Sequence, residues 1–248
     1  MRIPRIFVNQ DLTSHSTFQL DSSTAHYLGK VLRLSEQRPL IVFNGKGGEY
    51  DAQIIALTKN QADISTTEFR SENRMPNLRT ELAISISRGD KMDWIVQKAT
   101  ELGVSKIYPL FSERSEVKLT GDRLEKKLRH WQQVAIAACE QCQRNIVPAI
   151  ESAIDASDYI RSSDAELKLV LHHRTEISLK QIHKTMQESP SSVILLIGPE
   201  GGLTDDEIQL AVSNNYTPLR LGPRVLRTET APLAALSILQ QYWGDMDA

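Results

Sequence analysis

The chain has 248 residues, 40% hydrophobic and 24% charged, with 29 Lys and Arg against 31 Asp and Glu. That length allows two modest domains or one large one, either able to bury a core. A net charge of −2 excludes a binder that works by bulk positive charge, although clustered Lys and Arg can still meet nucleic acid locally.

The N-terminal MRIPRIFVNQDL has two arginines but no long apolar run behind them, so it reads as neither signal peptide nor membrane span, and a cytosolic protein is expected. Residues 1–72 read as a small β-rich unit. Arg5 to Val8 is a strand candidate and Ser22 to Leu32 is helical. Leu40 to Asn44 and Glu49 to Leu57 flank GKGG, a hairpin turn because glycine reaches positive φ without steric cost. Ala62 to Phe69 is a further strand. SENRMPN at 71–77 then reads as a linker stopped by Pro76.

From Glu81 the pattern alternates strand and helix over residues 73–248. ELAISIS precedes the amphipathic KMDWIVQKATELGV, then KIYPLF, then a long helix from about Gly121 to Gln143. ELKLVLHH, a helix near Ser178 to Gln187, SVILLIG, a helix opened by Thr204, YTPLRLG and a last helix into Trp243 follow. Such alternation implies an α/β fold with a mostly parallel sheet covered by helices on both faces.

In such sheets ligands sit beyond the carboxyl ends of the strands. Three of those ends carry unusual residues: LHHR at 171–174, IGPEGG at 197–202 and LGPRVLRTETAP at 221–232. In the second, Thr204 and Glu207 have capping-box spacing, and the preceding glycines expose backbone N–H groups. A helix start of this kind usually favours an anion. This loop has no Lys, and Glu200, Asp205 and Asp206 place negative charge where a phosphate would go. Neither a Walker ending nor G-x-G-x-x-G is present. The loop suits a neutral or cationic ligand approached by backbone, such as an adenine ring; the alternative is a well-capped glycine turn with no ligand. In the third loop Arg224 and Arg227 offer two cations, and Thr228 or Thr230 can cap the final helix, whose first turn accepts Pro232. The alternative there is that Arg227 and Glu229 simply pair with neighbouring charges.

IGPEGG together with LRLGPRVLRTETAPLAAL resembles the cofactor-binding signature of the SPOUT methyltransferases. Within them the chain is similar to the family that methylates N3 of a uridine in the decoding region of 16S ribosomal RNA. RGDKMDWIVQKATELGV at 88–104, FSERSEV at 111–117 and the early RIFV and HYLGKVLRL carry the same resemblance, which covers essentially the whole chain.

The resemblance implies a PUA-like β-barrel over 1–72 and a SPOUT α/β domain over 73–248 with a deep trefoil knot. It implies S-adenosylmethionine as cofactor, held bent between the second and third loops and lined by Leu171, His172, Ile197, Gly198, Gly201, Leu221, Gly222, Val225 and Leu226. It also implies a homodimer acting on 16S ribosomal RNA within the small ribosomal subunit. For the chemistry, Arg224 and Arg227 are the natural stabilisers of charge on the uracil oxygens, and Glu200 or Glu229 a proton acceptor, with water as the alternative. Arg2, Arg5, Lys30, Arg33, Arg88 and Lys91 are candidate phosphate contacts. A different reading is a ribosome-assembly or RNA-binding factor that has kept the fold without the chemistry; the intact glycines and arginines of the two loops favour the enzyme.

Three other motifs are set aside. Cys139-Glu-Gln-Cys142 has redox or metal spacing but falls late in a helical stretch and lacks a second pair, and it departs from the family pattern after the glutamine. His172 and His173 suggest a metal pair, but successive residues on a strand point to opposite faces, so at most one would face the site and no metal site is expected from them. Arg88-Gly89-Asp90 matches an adhesion tripeptide by accident in a cytosolic chain.

Overall fold

The computed structural model describes residues 3–246. Contacts divide the chain into two compact units. One runs up to Met75 and takes in Cys139–Val147; the other comprises Pro76–Ala138 and the chain from Pro148 onward. This differs from a single cut between residues 72 and 73 in that Cys139–Val147 joins the N-terminal unit.

In the N-terminal unit, β1 (Arg5–Phe7), β2 (Thr17–Leu20), β3 (Pro39–Phe43), β4 (Glu49–Leu57) and β5 (Ala62–Arg70) form one sheet in the order β1-β3-β4-β5-β2. β1 runs parallel to β3 and the other pairs are antiparallel. The β3–β4 turn uses Gly45, Gly47 and Gly48 at positive φ, as GKGG requires. Ile6, Leu40, Val42, Ile54 and Ile64 pack with Leu28 into the core. The helical stretch is split: α1 (Ser22–His26), capped by Asp21, runs into a π-helical turn at Tyr27–Val31. β2 was not expected; TFQL is too short to show a period.

The returning segment is held by a buried polar cluster. Arg5 Nη1 donates to Glu49 Oε2 at 2.5 Å and Arg5 Nη2 to Asn145 Oδ1 at 2.5 Å. Asn145 Nδ2 donates to Glu49 at 2.9 Å, Arg74 Nη1 donates to the same carboxylate at 3.0 Å, and Arg70 pairs with it at 2.8 Å. Burial alone would push the Glu49 carboxyl up; hydrogen bonds from Asn145, Arg5 and Arg74 overcome this and hold it down at about 2. Arg5 was expected to meet RNA phosphate. It is instead buried, its guanidinium committed to Glu49 and Asn145 and lying 5.1 Å from the Phe43 ring.

The second unit contains β6 (Arg79–Ser85), α2 (Lys91–Glu101), β7 (Lys106–Phe111), α3 (Gly121–Cys142, its last residues passing into the first unit), β8 (Ala149–Ile150), β9 (Ile154–Asp155) and α4 (Ala156–Ser162). Next come β10 (Leu167–Leu171), α5 (Leu179–Thr185), β11 (Ser192–Ile197), α6 (Asp205–Ser213), β12 (Tyr216–Leu219) and α7 (Thr230–Trp243). The strand path is β12-β10-β11-β6-β7-β8, with β9 also on β7, and every pairing is parallel. β11 is an apolar run, and β6 is buried from Thr80 to Ser85, because both faces of these central strands are covered. Ala83, Val170, Ile194 and Leu196 pack with Tyr159 and Ile160 of α4 and with Ile208 and Ala211 of α6. Their neighbours Leu82, Ile84, Leu169 and Leu195 are also fully buried, and α7 packs on β11 and α2. α3 stops at Gln143, whose φ of 71° leaves the helix. β8, β9 and α4 escaped the sequence reading, being two residues, two residues and two turns long.

Candidate functional site

The carboxyl ends of β10, β11 and β12 open onto a cleft of about 810 Å³, part of it open to solvent. The strand order sets it there: β11 lies between β6 and β10, so the loops leaving β10, β11 and β12 converge at one end of the sheet. Leu171, His172, Ile197, Gly198, Gly201, Leu221, Val225 and Leu226 line the cleft, as do Glu200 and Arg224. Gly222, Arg227 and Glu229 are not among its lining residues; Gly222 makes the turn of the third loop at φ 76°. His173, Pro199, Gly202, Leu219, Arg220, Thr228 and Ala231 complete the wall and were not named as cofactor contacts from the sequence, although each adjoins a named position or lies within three residues of one.

The glycine loop is tightly built. A Cβ on Gly198 would stand 2.6 Å from the Leu203 backbone nitrogen and 2.9 Å from the Gly202 carbonyl carbon, and Gly202 has φ 69°. The turn closes through Gly202 N–H donating to the Pro199 carbonyl at 2.9 Å. Thr204 caps α6 through the Glu207 N–H, and Glu207 accepts from the Thr204 N–H at 2.8 Å, completing the capping box. Glu207 also accepts from the Glu113 N–H at 3.0 Å, and Arg114 Nη1 donates to the Gly201 carbonyl at 3.0 Å. The FSERSEV segment therefore clamps the glycine loop from outside. Arg114 was missed because nothing in its local spacing points to a loop 87 residues away.

Lys91 Nζ lies 2.8 Å from Glu200 Oε1 and 3.8 Å from Glu229 Oε2. Burial pushes the Glu200 carboxyl up, but the Lys91 hydrogen bond and the Glu200 and Arg88 backbone N–H groups outweigh it and leave it below its ordinary value. Lys91, expected at RNA phosphate, is thus engaged by a carboxylate of the cleft. Arg224 and Arg227 are exposed, with no side-chain hydrogen bond or ion pair to any described residue, so the alternative of simple pairing does not hold for Arg227. Neither Thr228 nor Thr230 caps α7. Glu229 occupies the cap position without a side-chain bond, and the Arg227 carbonyl accepts from the Thr230 and Ala231 N–H groups instead.

His172 and His173 both line the cleft, against the expectation that at most one would. β10 ends at Leu171, so strand alternation no longer governs them. Burial, with the His173 and Arg174 charges beside it, holds His172 below its usual value. Among the described residues no group of three or more His, Cys, Asp or Glu side chains is placed to hold a metal ion. Cys139 and Cys142 are reduced thiols, and a hydrogen bond with Cys142, aided by burial, pushes the Cys139 thiol up. Of the other phosphate candidates, Lys30 and Arg33 are exposed, Arg88 is exposed and paired with Glu116, and Arg2 lies outside the described residues.

A family model described as an RNA methyltransferase domain matches residues 74–240, and one described as an RNA methyltransferase PUA domain matches residues 20–67. The chain is 33% identical over 245 residues to a ribosomal RNA small subunit methyltransferase E of Buchnera aphidicola subsp. Acyrthosiphon pisum, covering 98% of this chain and 95% of the relative. To the protein of that name in Bacillus subtilis it is 32% identical over 235 residues, covering 93% and 92%. Among solved structures, a putative methyltransferase of Legionella pneumophila in complex with bound SAM has a TM-score of 0.94 at 37% identity, covering 99% of this chain and 100% of that one. A ribosomal RNA small subunit methyltransferase E of Neisseria gonorrhoeae bound to S-adenosyl methionine has a TM-score of 0.90 at 33% identity, covering 98% and 99%.

Proposed function

The chain belongs to the ribosomal RNA small subunit methyltransferase E family, and from that premise we propose that it methylates N3 of one uridine in the decoding region of 16S ribosomal RNA within the small ribosomal subunit. It is a ribosomal RNA methyltransferase, and its cofactor is S-adenosylmethionine. The observation that carries the reading is the cleft itself: apolar side chains and glycine backbone make up most of its wall, Glu200 adds a carboxylate, and of its two arginines Arg220 is committed to Glu176, which leaves Arg224. Those groups fit a flat neutral base and a cation. Leu171, His172, Ile197, Gly198, Gly201, Leu221, Val225 and Leu226 would hold the cofactor, with Gly222 shaping the loop behind them.

When bound, S-adenosylmethionine supplies a methyl group already activated by its sulfonium. The protein's task is then alignment and charge. Uracil N3 carries a proton and lies on the Watson–Crick edge, so the uridine must be unpaired when it enters. Arg224 and Arg227 hold the negative charge that develops on the uracil oxygens. Glu200 or Glu229 takes the N3 proton, with water as the alternative; the Lys91 hydrogen bond holds the Glu200 carboxyl below its ordinary value and makes it a poorer base. Exposed Lys30, Arg33 and Arg88 are the proposed phosphate contacts.

The knot belongs to the same proposal. After β12 at the sheet edge the chain returns past β10 to place α7 on β11 and α2, the path expected if the third loop threads through the second, a rare exception to unthreaded connections. A homodimer is proposed as well, and Val225, 80% exposed on the wall of the cleft, is an apolar side chain that such pairing would cover. No described helix is long and apolar enough to cross a membrane. A cytoplasmic location is part of the same proposal and follows from the proposed ribosomal substrate.

Calorimetric titration tests the cofactor assignment, and transfer of labelled methyl to small subunits tests the enzyme. A protein that binds the particles but transfers nothing is the assembly factor instead. Gly198→Ala is expected to weaken S-adenosylmethionine binding by about one to two orders of magnitude, because two of the three atoms its Cβ would strike, the nearest included, are backbone and cannot yield. An unchanged Kd in a folded Gly198→Ala protein would show that the glycine loop is not part of the pocket.

A further inference from the structure

We propose that Lys91 is a positioning residue that ties the glycine loop to the start of α7, through Glu200 and Glu229, and so sets the spacing between two walls of the cleft. The inference rests on the reading of that cleft as a cofactor pocket, but the tie itself is a property of the free protein.

Glu200 belongs to the loop after β11, and Glu229 to the loop that leads into α7. These segments are far apart in sequence, and Lys91 is the only cation within 4.0 Å of either carboxylate among the described residues. Glu229 Oε2 is buried and accepts no hydrogen bond, so the ammonium 3.8 Å away is its nearest compensation. A carboxylate oxygen out of water is costly unless paired. Lys91 is also the first residue of α2, where the positive end of the helix dipole disfavours a cation. A lysine there is explained by what it holds rather than by helix stability.

The neighbouring chain supports the same grip. Gly89, at φ 63°, turns the segment between β6 and α2, and the Arg88 backbone N–H helps to hold the Glu200 carboxyl below its ordinary value. Arg88 directs its own side chain to Glu116 and leaves Glu200 and Glu229 to Lys91. An exposed pair at one rim would contribute little. One ammonium shared between two loops instead opposes the separation of both.

The test compares the full-length protein with Lys91→Met, Lys91→Arg and Glu229→Gln. Without cofactor, amide exchange over residues 198–203 and 224–230 should quicken in Lys91→Met and recover in part in Lys91→Arg. Calorimetry should show S-adenosylmethionine binding about three- to tenfold weaker in Lys91→Met. Adding Glu229→Gln to Lys91→Met should cost less than Glu229→Gln alone costs the wild type. Wild-type exchange in both loops of Lys91→Met overturns the proposal. Should affinity for small subunits fall at the same time, Lys91 is a phosphate contact instead. If Lys91→Met does not fold, equal exchange in Glu229→Gln and wild type over 224–230 overturns it. Failure of the wild type to bind S-adenosylmethionine would defeat the cofactor reading and leave the loop tie to be judged by exchange alone.

Discussion

Arg227→Ala is expected to lower methyl transfer to small ribosomal subunits by about two to three orders of magnitude, with S-adenosylmethionine affinity little changed. Arg227 is exposed, its guanidinium has no partner among the described residues, and it is not part of the cleft wall. Its backbone, however, is fixed, because its carbonyl accepts the first two N–H groups of α7. The side chain is thus anchored at its base and free at its tip, as a group awaiting substrate should be. Removing it deletes no folded-state contact, so stability should hold while charge on the uracil oxygens goes unopposed. Single-turnover assays with saturating cofactor measure this. Arg224, which does line the cleft, should differ in losing cofactor affinity as well as rate. Unchanged turnover in Arg227→Ala would remove that residue from the chemistry.

The second large effect concerns stability. Glu49→Ala leaves Arg5, Arg70 and Arg74 without their shared counter-ion, and Glu49 is 1% exposed. Breaking a buried ion pair from one side costs about 3–5 kcal/mol. Amide exchange over residues 39–70 should report that loss in the N-terminal unit. The same carboxylate predicts a pH dependence. Its folded value is lowered to about 2 from an ordinary 4.5, so the folded form binds the proton less readily than the unfolded form. Its contribution is complete above pH 4.5 and disappears as pH falls from there through about 2. Glu49→Gln should flatten the stability profile in that acid window. A profile in Glu49→Gln as steep as the wild type's would mean that other carboxylates dominate.

Local signals carried much of the fold. The capping box at Thr204 and Glu207, the GKGG turn and the strands β6, β10 and β11 all formed where their chemistry points. What the sequence hides is pairing at long range. Arg5 reads as a surface cation until Glu49 and Asn145 are seen beside it, and Lys91 as a phosphate contact until Glu200 is. Arg114 has no local signature of its hold on Gly201. The three unusual strand ends were legible as a ligand site because a parallel sheet gathers them. That His173 joins His172 in the wall was not, since it depends on β10 stopping one residue before the pair.

The most direct test incubates small ribosomal subunits from cells lacking this protein with isotope-labelled S-adenosylmethionine and the purified chain, then maps the label by mass spectrometry of 16S ribosomal RNA. The expected result is one labelled nucleotide, a uridine methylated at N3 in the decoding region. Label on another base, on a ribose or on another atom of uracil would contradict it.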